Sequence, residues 1–343
     1  MHCTLLIPDL LPPRAPGDEP YVDVHASALE ILLARGAVTC TAPVAYEEWV
    51  CNAFGIAKQQ DAPVAPVLFG FDGGDPQQRY WLCAEPVHLR ADRSRLVIAG
   101  RVEDTEAAET RAMITALNLH FAPDGIEFSA PSPRRWYVGT QNVPRLITVP
   151  IARAVNRSVE RNLPQGADAL AWHRIINEAQ MVLHAHPANA ARDERGAMVV
   201  NSVWLWGGGT LPEPASRPTY TGVWSSDPLP RALAAAAGAS HDELPSSFAT
   251  WIGTATGENH LLVCDGPSRA LGTADVQQWR NAVGTLDADW IAPMLAALRA
   301  GRIAALTVVA CNTDNLLEAS LTRRELRRFW RRARPLAHYA AAA

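Results

Sequence analysis

The sequence predicts an α/β fold: a mostly parallel sheet flanked by helices, with a small inserted α+β subdomain. Three observations lead there. Short apolar runs recur at residues 4–7, 198–206, 261–263 and 303–309. Their length suits strands buried on both faces better than helices. Amphipathic stretches of helical period separate them, which is the rhythm of a sheet covered by helices. Residues 77–143 break that rhythm and read as β-β-α-β-β.

The first run is stopped by Pro8 and followed by a loop holding Pro12, Pro13, Pro16 and Pro20. A helix over 27–34 places Leu29, Leu32 and Leu33 on one face and ends at Gly36. A second, over 44–54, ends at Gly55. In the inserted block, strands 80–90 and 95–99 flank a charged turn at Asp92, Arg93 and Ser94. The helix over 105–119 carries Ala108, Ala112, Leu117 and Leu119 on its apolar side. Glu103, Asp104 and Glu106 at its start complement the helix dipole. Two short strands, 126–128 and 135–138, complete the block. Beyond Pro150 the helices are expected at 168–184, 229–237, 275–298 and 322–332. The domain reading is therefore residues 1–76 with 144–343 as the α/β domain and 77–143 as the insertion.

Composition sets the function classes. In 343 residues, 48% hydrophobic against 19% charged supplies a core and excludes global disorder. A net charge of −4 argues against a generic nucleic-acid binder or a basic membrane-surface protein. Lys58 is the only lysine, so the many arginines reflect composition bias. No uncharged apolar run approaches the ~20 residues of a membrane span. The segment from Met1 to Asp9 has no basic start, so a cytoplasmic location is expected. The six cysteines form no C-x-x-C pair, and Cys3, Cys264 and Cys311 sit in or beside strand-like runs as small hydrophobes.

The strongest local feature is Asn201 to Thr210, where Trp204 and Trp206 lead into Gly207, Gly208 and Gly209. Glycines at a strand end let a backbone approach a ligand closely or turn sharply. Just upstream, His184 and His186 would point to different sides of a continuing helix. They read as helix-end histidines, not a metal pair. Asn189 and Arg192 suit an anion or a polar ligand better. The ligand-binding candidates are thus Asp9, Asn189, Arg192, Asn201, Trp204, Trp206, Gly207, Gly208 and Gly209, gathered at a cleft between the two lobes. The P-loop, the G-x-S-x-G elbow and H-E-x-x-H are all missing. Arg323, Arg324, Arg327, Arg328, Arg331 and Arg332 form a basic strip on the last helix. It reads as a solvated helix end, because no aromatic stacking platform accompanies it.

Residues 6–10 (Leu-Ile-Pro-Asp-Leu), 53–55 (Ala-Phe-Gly), 80–90, 135–137 (Arg-Trp-Tyr) and 201–209 together resemble the RpfE-type regulatory proteins of bacteria. That family is described as cofactor-independent phosphoglycerate mutase-like. More distantly, the chain resembles the archaeal-type phosphoglycerate mutases of the alkaline phosphatase superfamily, which implies an alkaline phosphatase-like α/β domain interrupted by an α+β insertion. Those enzymes use two divalent metals held by Asp and His residues, and a serine nucleophile. Here only Asp9 follows the first strand, residues 45–49 read Ala-Tyr-Glu-Glu-Trp where a serine is expected, and residues 263–275 and 309–315 contain no histidine. Asp9, Asp265 and Asp314 could hold at most one loosely bound cation, so no metal site and no cofactor are expected.

The first functional reading is a catalytically degenerate phosphoglycerate mutase-like protein with a regulatory or small-molecule-binding role, its ligand small and phosphorylated or otherwise anionic. The alternative is an active phosphomutase with a rearranged site near Asp9, Arg192 and the glycines. A third, weaker reading is association with nucleic acid through the C-terminal arginines. A protein partner, an oligomeric state and a regulated pathway are not specified by the sequence.

Overall fold

The computed structural model describes residues 1–13, 20–92, 95–213, 219–273 and 275–340. Pro16 of the expected loop and Arg93 and Ser94 of the expected turn lie outside these. Along the chain come β1 (His2–Leu6), α1 (Ser27–Arg35), β2 (Ala37–Thr41), α2 (Tyr46–Ala53) and α3 (Val64–Phe71). Then follow β3 (Tyr80–Asp92), β4 (Arg95–Arg101), α4 (Ala107–Phe121), β5 (Ile126–Ser132), β6 (Arg135–Thr140) and α5 (Ile151–Ala154). Next are α6 (Ala169–His184), α7 (Pro187–Glu194), β7 (Ser202–Gly209), β8 (Gly222–Ser225), α8 (Pro228–Ala236), β9 (Ser240–Asp242) and α9 (Phe248–Ile252). The last are β10 (Asn259–Val263), α10 (Gly266–Gly272), α11 (Val276–Leu286), α12 (Ala292–Ala300), β11 (Ala305–Cys311), β12 (Leu316–Thr322), α13 (Arg323–Leu326) and α14 (Ala337–Ala340).

The chain divides into two compact units, Met1–Gly55 with Pro214–Ala343, and Ile56–Glu213. The first holds a seven-stranded sheet in the order β2-β12-β11-β1-β10-β8-β9. The run from β11 to β9 is parallel, and β12 and β2 add antiparallel strands at one edge. This is the mostly parallel, helix-flanked α/β architecture that the sequence predicts. Alternation explains its core. Cys3, Leu5 and Ile7 point to one face, level with Leu262 and Cys264 of β10 and its exit and Leu306, Val308 and Ala310 of β11. Leu29, Leu32, Trp279, Met294 and Leu298 from three helices close over that face. Thr4, Thr307, Glu318, Ser320 and Thr39 occupy the other face at this edge and stay half-buried or exposed. That edge is therefore one-sided, where the sequence suggested cover on both faces.

The second unit is built on an antiparallel sheet of β4, β3, β6 and β5, with β7 pairing β3. Met113, Leu117 and Phe121 of α4 and Trp172, Ile176 and Leu183 of α6 pack with Tyr80, Leu82, Val203 and Leu205. Two sequence expectations change here. Residues 198–206 were assigned to the parallel sheet, yet β7 runs antiparallel to β3, in register Ala84 to Leu205 and Glu85 to Trp204. All eight β7 residues are buried, and a strand buried on both faces reads alike in a parallel sheet and at the centre of an antiparallel one. β7 and its covering helices stay with β3 in the compact unit Ile56–Glu213, which contains the expected insertion 77–143. The helix expected at 322–332 is only α13, four residues long. Among the described residues, no helix is long and apolar enough to cross a membrane. All six cysteines are free, five of them buried and Cys40 exposed.

Candidate functional site

In an open parallel sheet, side chains for binding and catalysis gather beyond the carboxyl ends of the strands. In the first unit, those ends belong to β1, β10, β8 and β11. Asp9 leaves β1 with φ of 53°, a left-handed conformation that few non-glycine residues adopt. Its amide donates to the Cys311 carbonyl at 3.0 Å, and its own carbonyl accepts from the Trp279 indole at 3.1 Å. Its Oδ2 accepts from the Ser268 hydroxyl at 2.7 Å. The turn after β10 supplies Asp265, and the first turn of α10 supplies Ser268. Asp265 is paired with Arg269 at 3.3 Å, and burial pushes its carboxyl above the usual range despite that partner. Beyond β8, Asp227 caps α8 by accepting from the Leu229 amide at 3.0 Å. Tyr46 is half-buried, with its hydroxyl enclosed near Asp227. Burial first, and then that carboxylate, push its hydroxyl well above its ordinary value, and Glu47 and Asp265 add to the effect.

Asn312 closes the rim. It accepts from the Leu11 amide at 2.9 Å and donates to Asn315 Oδ1 at 2.8 Å. Asp314 is exposed in the turn between β11 and β12.

This donor set does not fit a dinuclear metal centre. Two close cations need several carboxylates and imidazoles converging at about 2.0–2.2 Å. Here Asp9 is held by Ser268, Asp265 by Arg269 and Asp227 by a helix N-terminus. No histidine follows any of these strands; His260 lies inside β10. Among the described residues, no group of three or more His, Cys, Asp and Glu side chains is arranged to hold a metal.

A separate cleft of about 230 Å³ opens among the starts of the same strands, lined by residues including His2, Thr4, Tyr220, Asn259, His260 and Thr307. It offers hydroxyls and imidazoles but no carboxylate.

The other eight candidates lie in the second unit, where the fold itself uses the polar side chains of Asn189, Arg192, Asn201 and Trp204, while the buried Trp206 indole N–H has no hydrogen-bond partner among the described residues. Asn189 donates to the Leu183 and Val200 carbonyls at 2.7 Å each and accepts from the Val200 amide at 2.9 Å. Arg192 is fully buried. It donates to the Met198 carbonyl and to Glu109 at 2.8 Å each, and also pairs with Asp104. Asn201 bridges both backbone groups of Leu89, at 2.7 and 2.8 Å. The Trp204 indole donates to the Val149 carbonyl at 2.8 Å, and the ring of Trp206 is buried.

The glycine triplet meets protein and not open space. A Cβ on Gly208 would come 2.1 Å from the Tyr80 hydroxyl, and one on Gly209 would come 2.6 Å from Pro63. Gly207 has φ of 66° and lies against Val64. Its amide donates to the Thr148 hydroxyl, which in turn donates to Asp61 at 2.5 Å. Burial raises the Asp61 carboxyl in spite of these bonds.

The sequence reading missed Tyr46, Asp227, Ser268 and Arg269. One signal was available: Asp265-Gly266-Pro267-Ser268 directly follows a strand, the same position Asp9 holds after β1.

No protein-family model matches the chain. A probable 2,3-bisphosphoglycerate-independent phosphoglycerate mutase of Geobacter sulfurreducens is 31% identical over 135 residues, 38% of this chain and 33% of that protein. The corresponding mutase of Methanosarcina barkeri is 27% identical over 121 residues, 33% and 30% of the two chains. Over these stretches the chain is similar to phosphoglycerate mutases. Its matches span about a third of the length of these curated relatives. The fold extends further. A cofactor-independent phosphoglycerate mutase from Thermoplasma acidophilum superposes with TM-score 0.51, 15% identity and coverage of 99% and 94%. A protein from Pyrococcus horikoshii superposes with TM-score 0.57, 13% identity and coverage of 93% and 87%. At these identities the likeness is one of fold alone.

Proposed function

We propose that this mutase-like chain is a catalytically degenerate member of the RpfE type, acting in regulation by binding and not by phosphoryl transfer. One observation supports it above others: the rim carboxylates Asp9, Asp265 and Asp227 are each tied to a serine, an arginine or a helix end. Two-metal mutase chemistry needs such carboxylates turned toward shared cations. The ligand suggested by the family is a small phosphorylated or otherwise anionic molecule. Arg269 is a cation at this acidic rim, paired there with Asp265.

A second reading is an active phosphomutase with a rearranged site, and the Asp9–Ser268 hydrogen bond favours it. A serine hydroxyl held by a carboxylate is the arrangement of a nucleophile beside a base. Metal analysis of the dialysed protein, together with a phosphoglycerate mutase assay with added manganese, separates the two. The first reading expects neither stoichiometric metal nor turnover. Two bound metals with manganese-dependent turnover, lost in Asp9→Ala, would overturn it. Turnover without metal, lost in Ser268→Ala, would establish the second.

A further inference from the structure

We propose that the segment from Arg323 to Arg334 is a binding surface for single-stranded nucleic acid. The sequence pattern of a continuous helix would have buried part of this strip and left only a charged face. The structure does otherwise. A capping box joins Thr322 and Glu325 around α13, and the helix ends after one turn, where Leu326 is buried and its carbonyl accepts from Arg35 at 2.9 Å. The chain is pinned again at Leu336, which is buried and whose amide donates to Glu30 at 3.0 Å. Between these two anchors the backbone crosses the surface and presents Phe329, 78% exposed, and Trp330, 66% exposed. Among the described residues, these two are the only aromatic side chains in the set of exposed large hydrophobics, which otherwise holds aliphatic ones such as Leu119 and Leu170. The two rings lie 5.4 Å apart at 81°, so each presents a differently directed surface.

The cations around the rings divide into two sets. Arg328 and Arg331 reach back to the carbonyls of Arg35 and Gly36, and Arg334 meets His338. The first two fasten the segment to the end of α1, and the third is local to the tail. Arg323, Arg324, Arg327 and Arg332 are exposed, and among the described residues their guanidinium groups make no side-chain hydrogen bond or close ion pair, although Arg324 acts electrostatically on Glu325. Free guanidinium groups on both sides of exposed rings match a chain of phosphates carrying stackable bases. The bases must be unpaired, because a duplex hides their faces.

Charge distribution selects a strand over an anionic bilayer. The whole chain is net −4, yet this segment has seven arginines and one glutamate, so the rest is strongly acidic. A flat anionic membrane spreads its charge over an area wider than the stripe and so meets more of the net-acidic remainder, whereas a strand can follow the stripe alone and is screened from the rest beyond about 8–10 Å.

The test titrates the full chain into a fluorescently labelled oligothymidine at low and moderate salt. A duplex of matched length and phosphatidylserine vesicles serve as parallel probes. The strand is expected to bind best, with a logarithmic salt slope of about −0.7 per phosphate contacted. Phe329→Ala and Trp330→Ala should each weaken binding about tenfold with the slope retained. Trp330→Phe should restore most of it, and Arg324→Gln with Arg327→Gln should flatten the slope. These side chains are exposed, so thermal midpoints should match the parent protein and separate lost binding from lost folding. No binding at low salt, tighter binding to vesicles or duplex, or ring variants that bind like the parent would overturn the proposal.

Discussion

The Ser268 hydroxyl donates a 2.7 Å hydrogen bond to Asp9 Oδ2, joining residues 259 positions apart in sequence. It ties the loop leaving β1 to the helix following β10. The carboxylate that a mutase would turn toward a cation is here part of a latch. Ser268→Ala should lower stability by about 1 kcal/mol, the usual net worth of such a bond. Urea unfolding of the two proteins measures it.

Manganese should leave the thermal midpoint unchanged. A site that binds cations only in the folded state adds about 2.7 kcal/mol at about a hundredfold excess over Kd. Asp9, Asp265 and Asp227 are otherwise engaged. A clear upward shift in a melting scan, abolished in Asp9→Ala, would contradict the account of the rim.

The glycines should behave as packing residues. In Gly208→Ala the new methyl would meet the Tyr80 hydroxyl at 2.1 Å and Leu82 at 2.7 Å, so a loss of about 1–3 kcal/mol is expected. A ligand-cradling glycine would instead lose binding with its stability intact. Chemical denaturation distinguishes the outcomes.

Arg192→Ala should be far more damaging than an ordinary surface change. It removes a fully buried guanidinium and leaves Glu109 without one of its two arginines. Breaking a buried pair from one side costs about 3–5 kcal/mol. Arg192→Lys should recover only part, since a lysine cannot reproduce the fork that serves Met198, Asp104 and Glu109. Circular dichroism melts of both variants report this directly.

Glu85 sets a pH dependence. Burial holds its carboxyl above the usual range, against the opposing pull of Arg101 at 3.0 Å. A carboxyl raised in the folded state contributes stability that is complete below its unfolded pKa and is lost as pH rises through the folded value. The stability of the parent protein relative to Glu85→Gln should therefore fall as pH rises through the acidic range, then level off. A flat or rising difference in unfolding free energy would refute the assignment.

The sequence by itself determined the elements and their class. Alternating apolar residues at Cys3, Leu5 and Ile7 and at Leu306, Val308 and Ala310 encode strands with one face on a helical layer, because the two-residue period of a strand is local. The β-β-α-β-β block from β3 to β6 was legible for the same reason, and so was the missing histidine after each late strand. What only the tertiary structure decided was partnership. An all-buried run such as β7 carries no mark of its neighbour, so its pairing with β3 could not be read from it. Asn189, Arg192 and Asn201 look like ligand contacts as a string of polar residues, and only folding reveals the carbonyls and carboxylates that take up their donors. Likewise, Phe329 and Trp330 belong to a helix by local propensity. The anchors at Leu326 and Leu336, set by distant Arg35 and Glu30, are what turn them out to water.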